Sequence, residues 1–331
     1  MENDLNRRYF GRRSFLTRSA KAGLSVAAAG LIGYYFFDPI GPTYSSIDPI
    51  VDGFPDFSIP DLGKRMAIAR GPNRVKTLQL AFKAIGGVES FIKSGDRVLL
   101  KVNAAFASPP ILSATTHPQL VSEMVRLCFK SGASKVVVTD NPINDPASCF
   151  ALTGIARAAE SEGAKVILPA AGLFKSMTIP GTRLIRNWPV LYEPIKLVDK
   201  VIGLAPIKDH RRSGASMSMK NWYGLLGGRR NIFHQDIHTI IKELAIMVKP
   251  SVVILDGTTT MMSNGPTGGS LSDLKETKMM IVSTDPVAAD AFGATLLKKE
   301  LHELPYITKA AAAGIGTADY RSINPVITST D

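Results

Sequence analysis

The chain is poor in cysteine. Cys128 and Cys149 are the two cysteines in 331 residues, and no C-x-x-C pair exists, so neither a disulfide framework nor a cysteine-ligated iron–sulfur cluster has support. Cys128 falls on the apolar face of a helical pattern with Val121, Met124, Val125 and Leu127, which marks it as a core residue. Long hydrophobic runs are also missing. The uncharged apolar stretch near the start, Ala22 to Phe37, is shorter than the roughly 20 apolar residues of a spanning helix and is diluted by Gly23, Ser25, Gly30 and Gly33. No G-x-G-x-x-G opens a crossover, and no Lys-Ser/Thr follows a glycine loop, so the common phosphate-loop signatures are absent. His234 and His238 lie one helical turn apart, but residue 235 is Gln. The H-E-x-x-H arrangement therefore fails, and both histidines flank an apolar stripe (Ile237, Ile240, Ile241, Leu244) that favours a packing or capping role over zinc. No internal repeat and no low-complexity segment is present. Basic runs interleaved with aromatics are missing too, which argues against nucleic acid as a partner.

What remains is an ordinary globular composition, 45% hydrophobic and 20% charged, with a formal charge of +11. Part of that charge lies in the first 38 residues, where Arg7, Arg8, Arg12, Arg13, Arg18 and Lys21 precede the modest apolar stretch. This is the layout of a targeting segment. Within it, Gly11-Arg12-Arg13-Ser14-Phe15-Leu16-Thr17 resembles a twin-arginine export motif. It implies the twin-arginine translocase as a transit partner and a periplasmic location, or tethering at the outer face of the cytoplasmic membrane. Both outcomes stay open. The small residues Ala27–Gly30 lie inside the apolar run, cleavage near Gly41–Ser46 would release the chain, and Tyr34–Phe37 suit a membrane interface. The rest of the chain keeps a basic excess, which suits an anionic small molecule or lipid head groups.

After a connector at 39–63, the patterning alternates. Apolar runs rich in Val, Ile and Leu occur at 65–70, 97–102, 135–140, 165–168, 200–205, 251–256 and 278–283; lacking polar alternation, they read as strands buried on both faces. Helical patterns occupy 75–91, broken at Gly86-Gly87, and 118–131, 147–162, 234–248 and 286–299. Pro118 and Pro286 sit at first helical positions. Strands alternating with helices predict an α/β fold, a mainly parallel sheet with helices on both faces, over residues 64–322. The stretch 176–192 reads as a hairpin and 225–233 as a glycine-containing loop, which together suggest a small inserted β/loop subdomain at 172–232.

In such a sheet, ligands bind beyond the carboxyl ends of the strands. Lys101-Val102-Asn103, Asp140-Asn141, Lys208-Asp209-His210, Asp256-Gly257 and Asp285-Pro286 stand at five expected ends. Asp and Asn also cap helices and make turns, and Asp285 before Pro286 reads first as a cap. Gly265-Pro266-Thr267-Gly268-Gly269 can present backbone N–H groups to an anion. Between Lys208 and Arg230, Lys208, Arg211, Arg212, Lys220, Arg229 and Arg230 concentrate positive charge in a Gly-, Ser- and Met-rich span that forms no amphipathic helix. An anion-gripping loop is the expectation.

The ordered set Lys101-Val102-Asn103, Thr115-Thr116-His117-Pro118, Asp140, Lys220-Asn221-Trp222-Tyr223-Gly224, His234, Asp256-Gly257, Gly265-Pro266-Thr267-Gly268 and Asp285-Pro286-Val287-Ala288-Ala289-Asp290 resembles the DUF362 family of prokaryotic proteins, over about residues 65–320. It is a family of unknown function, and some members look like fusions to ferredoxin-type cysteine clusters, which this chain lacks. The resemblance nominates Lys101, Asp140, His210, Lys220 and Asp256 as catalytic candidates. It nominates Asn103, Asn221, His234, Gly265, Gly268, Asp285 and Asp290 as ligand-binding candidates. Two roles follow as expectations. In the first, a small anionic or carboxylate-bearing compound is bound or transformed at the strand ends, with Asp140 or Asp256 as general base; in a metal-dependent variant, Asp140, His210, Asp256 and Asp285 would be the ligands. In the second, the chain is an accessory factor for an exported redox protein of the envelope.

Overall fold

A computed structural model describes residues 12–35 and 51–330. The chain divides into two compact units, Met1–Thr43 and Tyr44–Asp331. In the first, α1 (Arg12–Tyr35) is a continuous helix whose described side chains are all exposed. Among the described residues, no helix is long and apolar enough to cross a membrane. Arg7, Arg8, Gly11, Phe36, Phe37 and the expected cleavage region Gly41–Ser46 lie outside the described residues.

The second unit begins, in its described part, with residues expected to form a connector. They are bound to the unit: Val51 donates to Ser176 O (3.0 Å) and Phe57 to Lys249 O (3.1 Å), and the Phe57 ring is buried. The chain then runs β1 (Met66–Arg70), α2 (Arg74–Ala84), β2 (Arg97–Lys101), α3 (Pro118–Lys130), β3 (Lys135–Thr139), α4 (Pro146–Leu152), α5 (Ile155–Glu160), β4 (Lys165–Ile167), β5 (Phe174–Met177) and β6 (Trp188–Leu191). It continues through β7 (Lys200–His210), β8 (Gly214–Ser216), α6 (Ser218–Asn221), α7 (Ile237–Met247), β9 (Val252–Met261), β10 (Leu274–Ser283), α8 (Pro286–Leu296), α9 (Pro305–Ala312) and β11 (Val326–Ser329).

The main sheet has the order β11-β1-β10-β9-β7-β2-β3-β4, with β8 added to the end of β7. Neighbours are parallel except at the two flanks of β10 and at β8. Both faces are covered, as runs without polar alternation require. Alternate residues divide between the faces. Leu99, Val137, Val201, Val253 and Leu255 meet α7, α8, α9 and Trp222. Val98, Leu100, Val136, Val138, Leu204 and Ile254 meet α2, α3 and α5. Gly203 faces Trp222, and a Cβ there would stand 2.9 Å from the indole ring. The segment after β8 lies flat on the sheet because that position is glycine.

Several expectations change in ways that matter for the site. β7 runs five residues past its expected end at Ala205, to His210, across a register shift between Pro206 and Lys208 in its pairing with β9. β9 and β10 extend into a long hairpin, so Asp256 is interior to a strand. β10 is antiparallel to β9, with Ser283 opposite Val253, so Asp285 lies at the sheet end opposite Asp140. The 172–232 span is not a separate inserted body, because β7 sits in the middle of the main sheet and only the β5–β6 hairpin forms a sheet of its own. The helix expected at 147–162 breaks at Gly154, whose φ of 71° ends α4 and starts α5.

Candidate anion-binding site

Beyond the carboxyl ends of β2 and β3 lies a cavity of about 150 Å³ lined by Asn103, Phe106, Asp140, Lys208, His210, Ser216, Lys220, Asn221, Tyr223, Gly224, Arg230, His234 and Pro266, among others. Its floor is an ion pair. The Lys101 ammonium, fully buried, meets Asp140 Oδ1 at 2.8 Å and donates to Val102 O and Asn221 O, both at 2.7 Å. An ammonium has three N–H donors, and all three are used. Burial lowers the Lys101 pKa, and the Asp140 charge opposes that shift. Asp140 is equally committed: besides Lys101, Oδ1 accepts from Asn141 N (2.9 Å) and Oδ2 from Ala104 N (2.6 Å). Neither residue is free for the ligand contact or general-base role expected of it. They tie β2, β3 and the segment after β8 into one frame.

Gly224 completes that frame. A Cβ at this position would collide with Asp140 Oδ1 and come within 2.9 Å of Lys101 Nζ, while Gly224 O accepts from Asn141 N (2.9 Å). Asn221 spans the same junction, its Nδ2 donating to Lys101 O (3.1 Å) and Leu204 O (3.2 Å). Asp290, on α8, is fully buried and accepts from Ser218 N (2.8 Å), Met219 N (3.2 Å) and Ser218 Oγ (2.5 Å). It anchors the start of α6 from below, and burial raises its pKa to about 7. The Lys220–Gly224 segment is thus held from both sides.

Above the floor, the charge is positive. Lys208 is 1% exposed; it donates to Ala114 O and stands 5.2 Å over the Phe106 ring. Lys220 Nζ lies 5.0 Å over the Tyr223 ring, and among the described residues it has no carboxylate partner. Burial, then the neighbouring cations, lower both amines to about 7: Lys220 acts on Lys208, and Arg230 acts on Lys220. Arg230 donates to four carbonyls, Tyr223 O, Leu226 O, Asn141 O and Pro142 O, at 2.7–3.2 Å. These fix its position while leaving its charge uncompensated except by Asp140, which Lys101 already neutralises.

Two imidazoles face one another with ring centroids 6.0 Å apart. His210 Nδ1 accepts from the N–H groups of Arg212 and Ser213, both at 3.2 Å, so its proton resides on Nε2. Burial, then Lys220 and Lys208, press its pKa down to about 2, which keeps it neutral. His234 is ordered the other way. Tyr223 Oη donates to Arg230 O at 2.5 Å, so His234 Nδ1 donates to Asn231 O (3.2 Å) and Nε2 is a bare acceptor. Asn103 is 8% exposed and its Oδ1 has no hydrogen-bond partner among the described residues. A buried polar atom left unpaired in a cavity wall is a ligand-facing group.

The structure therefore gathers Asn103, Asp140, His210, Lys220, Asn221 and His234 at one cavity, with Lys101 beneath it. Five other expected residues stand elsewhere, among them Asp290 on α8. Asp256 points to the opposite face of the sheet, where it pairs with Arg74 at 2.5 Å. Asp285 caps α8, accepting from Val287 N and Ala288 N, and meets Lys64 at 3.2 Å. The metal-ligand set of Asp140, His210, Asp256 and Asp285 is accordingly dispersed, and no cluster of three His, Cys, Asp or Glu side chains suited to a metal occurs among the described residues. Gly265 and Gly268 are not in the wall, and their N–H groups already donate to Asp209 Oδ2 and Asn264 O. Pro266 between them does line the cavity. Lys208, Arg230 and Tyr223 belong to the site although none was among the nominated site residues. The density of basic residues between 208 and 230 is the signal that marks them.

A pocket of this kind can hold an anion against fixed donors. Amines with pKa values near neutrality can also give or accept a proton at the bound molecule. The model of a domain of unknown function, DUF362, matches residues 98–295. The chain belongs to the DUF362 family. The matched span contains every residue of the cavity wall. A curated relative, the thylakoid-associated protein sll1697 of Synechocystis, is 27% identical over 253 residues, covering 72% of this chain and 74% of its own length. Among solved structures, a protein from Thermotoga maritima is similar at 11% identity with a TM-score of 0.37, over 74% of this chain. The chain spans 60% of that protein's length. In DUF362 terms, the Lys-Asn-x-x-Gly element divides its work: Asn221 and Gly224 build the frame, and Lys220 faces the cavity.

Proposed function

We propose that this DUF362 protein binds a small anionic, carboxylate-bearing or similarly charged ligand in the cavity formed by β7, the Lys220–Gly224 segment and the Arg230–His234 turn. One observation carries the reading. Lys208, Lys220 and Arg230 line one buried cavity whose single carboxylate, Asp140, is already paired with Lys101. Like charges of this density destabilise one another unless an anion joins them, and at an effective dielectric near 20 each contact at about 4 Å is worth on the order of 4 kcal/mol. Titration calorimetry with sulfate and with acetate tests it. Lys220→Met should weaken binding at least tenfold, while Asp256→Asn, on the other face of the sheet, should leave it within twofold. Absence of binding at millimolar anion, or wild-type affinity in Lys220→Met, would sink the reading.

The N-terminal segment supports a location. Arg12-Arg13-Ser14-Phe15-Leu16 opens a helix too weakly apolar to span a membrane, which fits export through the twin-arginine translocase and work in the periplasm or at the membrane's outer face. The name of the Synechocystis relative, thylakoid-associated, agrees with a membrane-proximal site of action. Replacing Arg12 and Arg13 with Lys should retain a periplasmic reporter fusion in the cytoplasm; unchanged export would refute the assignment.

A further inference from the structure

The cavity does not end at its cationic chamber. Asn141, Ile143, Tyr223, Arg230 and His234 line it and also line a second, outer cleft of about 580 Å³. The two spaces therefore adjoin and share one wall. They differ in the charged side chains that line them. Apart from the shared Arg230, the described residues of the outer cleft include no lysine, aspartate or glutamate; its own surfaces are Pro142, Pro146, Pro169, Ala170, Ala171 and the Phe174 ring, with Gly227, Gly228 and one polar side chain, Asn231. Gly227 lets that ring come close, since a Cβ there would stand 2.8 Å from it. Ile143 is 65% exposed at the junction, an apolar side chain with no packing reason to face solvent.

A graded pair of spaces selects a graded molecule. The inner chamber is close to the size of a cavity that holds a single benzene ring, so it accommodates only a small charged group. The outer cleft falls in the range of sites for whole organic ligands. We infer that the ligand of this protein is an elongated organic anion: its charged end lies among Lys208, Lys220 and Arg230, and its apolar, aromatic body lies along the cleft between Ile143 and Phe174. This rests on the anion-binding reading above and specifies its ligand class. Tyr223 and His234, whose rings stand 5.3 Å apart at the junction, would flank the link between the two ends. His234 Nε2, a bare acceptor, is the group placed to receive a donor there.

Paired probes separate the two ideas. Acetate and methyl sulfate test the inner chamber alone, whereas 4-phenylbutyrate and phenyl sulfate carry the same charged ends with an apolar extension. Dissociation constants are measured by calorimetry on the full chain, for wild type and for Ala170→Trp, an exposed position where a large side chain fills the cleft without disturbing the core. The expected result is at least a tenfold gain from the extension, lost in Ala170→Trp while acetate and methyl sulfate bind as before. Equal affinity for the short and extended members of each pair, or a gain that survives Ala170→Trp, would overturn the two-part ligand and leave the anion chamber standing. If the short and extended probes all fail to bind, the anion reading itself is wrong and this inference falls with it.

Discussion

Lys208 and Lys220 give the anion chamber a specific dependence on pH. Each amine is lowered to about 7 in the unliganded protein, so each is charged below that value and neutral above it. An anion binds the charged form, and its affinity must fall as pH rises. If binding requires one of these amines to be protonated, the charged fraction drops from about ten-elevenths at pH 6 to about one-hundredth at pH 9, a loss of roughly two orders of magnitude in affinity. Because Lys220 is itself a cause of the Lys208 shift, the pair titrates as a coupled system, and the slope of log Ka against pH between 7 and 9 should lie between about −1 and −2. Sulfate is the probe of choice, since it stays dianionic throughout this range. Linkage demands a matching signature: binding at pH 8 takes up protons, so the calorimetric enthalpy must change with the ionisation enthalpy of the buffer. His210 adds nothing to the slope, because it is neutral across the whole range. A flat affinity from pH 6 to 9 with no proton uptake, or an affinity that rises, would refute the electrostatic account of the chamber.

Two further outcomes concern the frame. Lys101→Met or Asp140→Asn alone leaves one buried partner uncompensated and should lower unfolding stability by about 3–5 kcal/mol, with the double variant recovering much of the loss in chemical denaturation. Gly224→Ala, in which the new methyl meets Asp140 Oδ1, should lower the melting temperature and reduce anion affinity together, whereas the same substitution at Gly269, where a Cβ meets nothing within 4 Å, should do neither.

How much of this the sequence discloses depends on whether the relevant physics is local. Buried parallel strands declare themselves through unbroken Val/Ile/Leu runs, so β1 to β4, the first half of β7 and β9, and the second half of β10 fall close to their expected places. The continuation of β7 to His210 does not, because Pro206 and Asp209 interrupt the apolar run and pairing with β8 and β9 maintains the strand. That continuation is what brings Lys208 and His210 to the cavity. Strand direction is equally non-local. Asp285 follows an apolar strand as Asp140 does, but β10 returns antiparallel and carries it to the far end. Asp256 differs from Lys101 in a still simpler way: alternate residues of a strand face opposite sides, and a pattern that is apolar on both faces gives no clue to which side a lone carboxylate takes.

The distribution of roles over the motif residues also follows from burial. A group that must meet a ligand needs unused hydrogen-bonding capacity, and a group that holds strands together has none left. By that criterion Lys101, Asp140, Asn221, Gly224 and Asp290 make the frame, since their polar atoms are spent on backbone and on one another or their lack of a side chain is what admits the contact. Lys220, His210, His234 and Asn103 retain a free amine, a free Nε2–H, a bare Nε2 and an unpaired Oδ1. Lys101 and Asp140, prominent in the sequence as charged strand-end residues, are therefore among those least available for chemistry. The cavity's cationic character comes instead from Lys208, Lys220 and Arg230, whose spacing in sequence shows no regular period. Their convergence depends on β7 passing the edge of its neighbours and on the flat seat that Gly203 gives to Trp222. Substituting Gly203 would consequently disturb the ligand chamber without altering any residue in its wall.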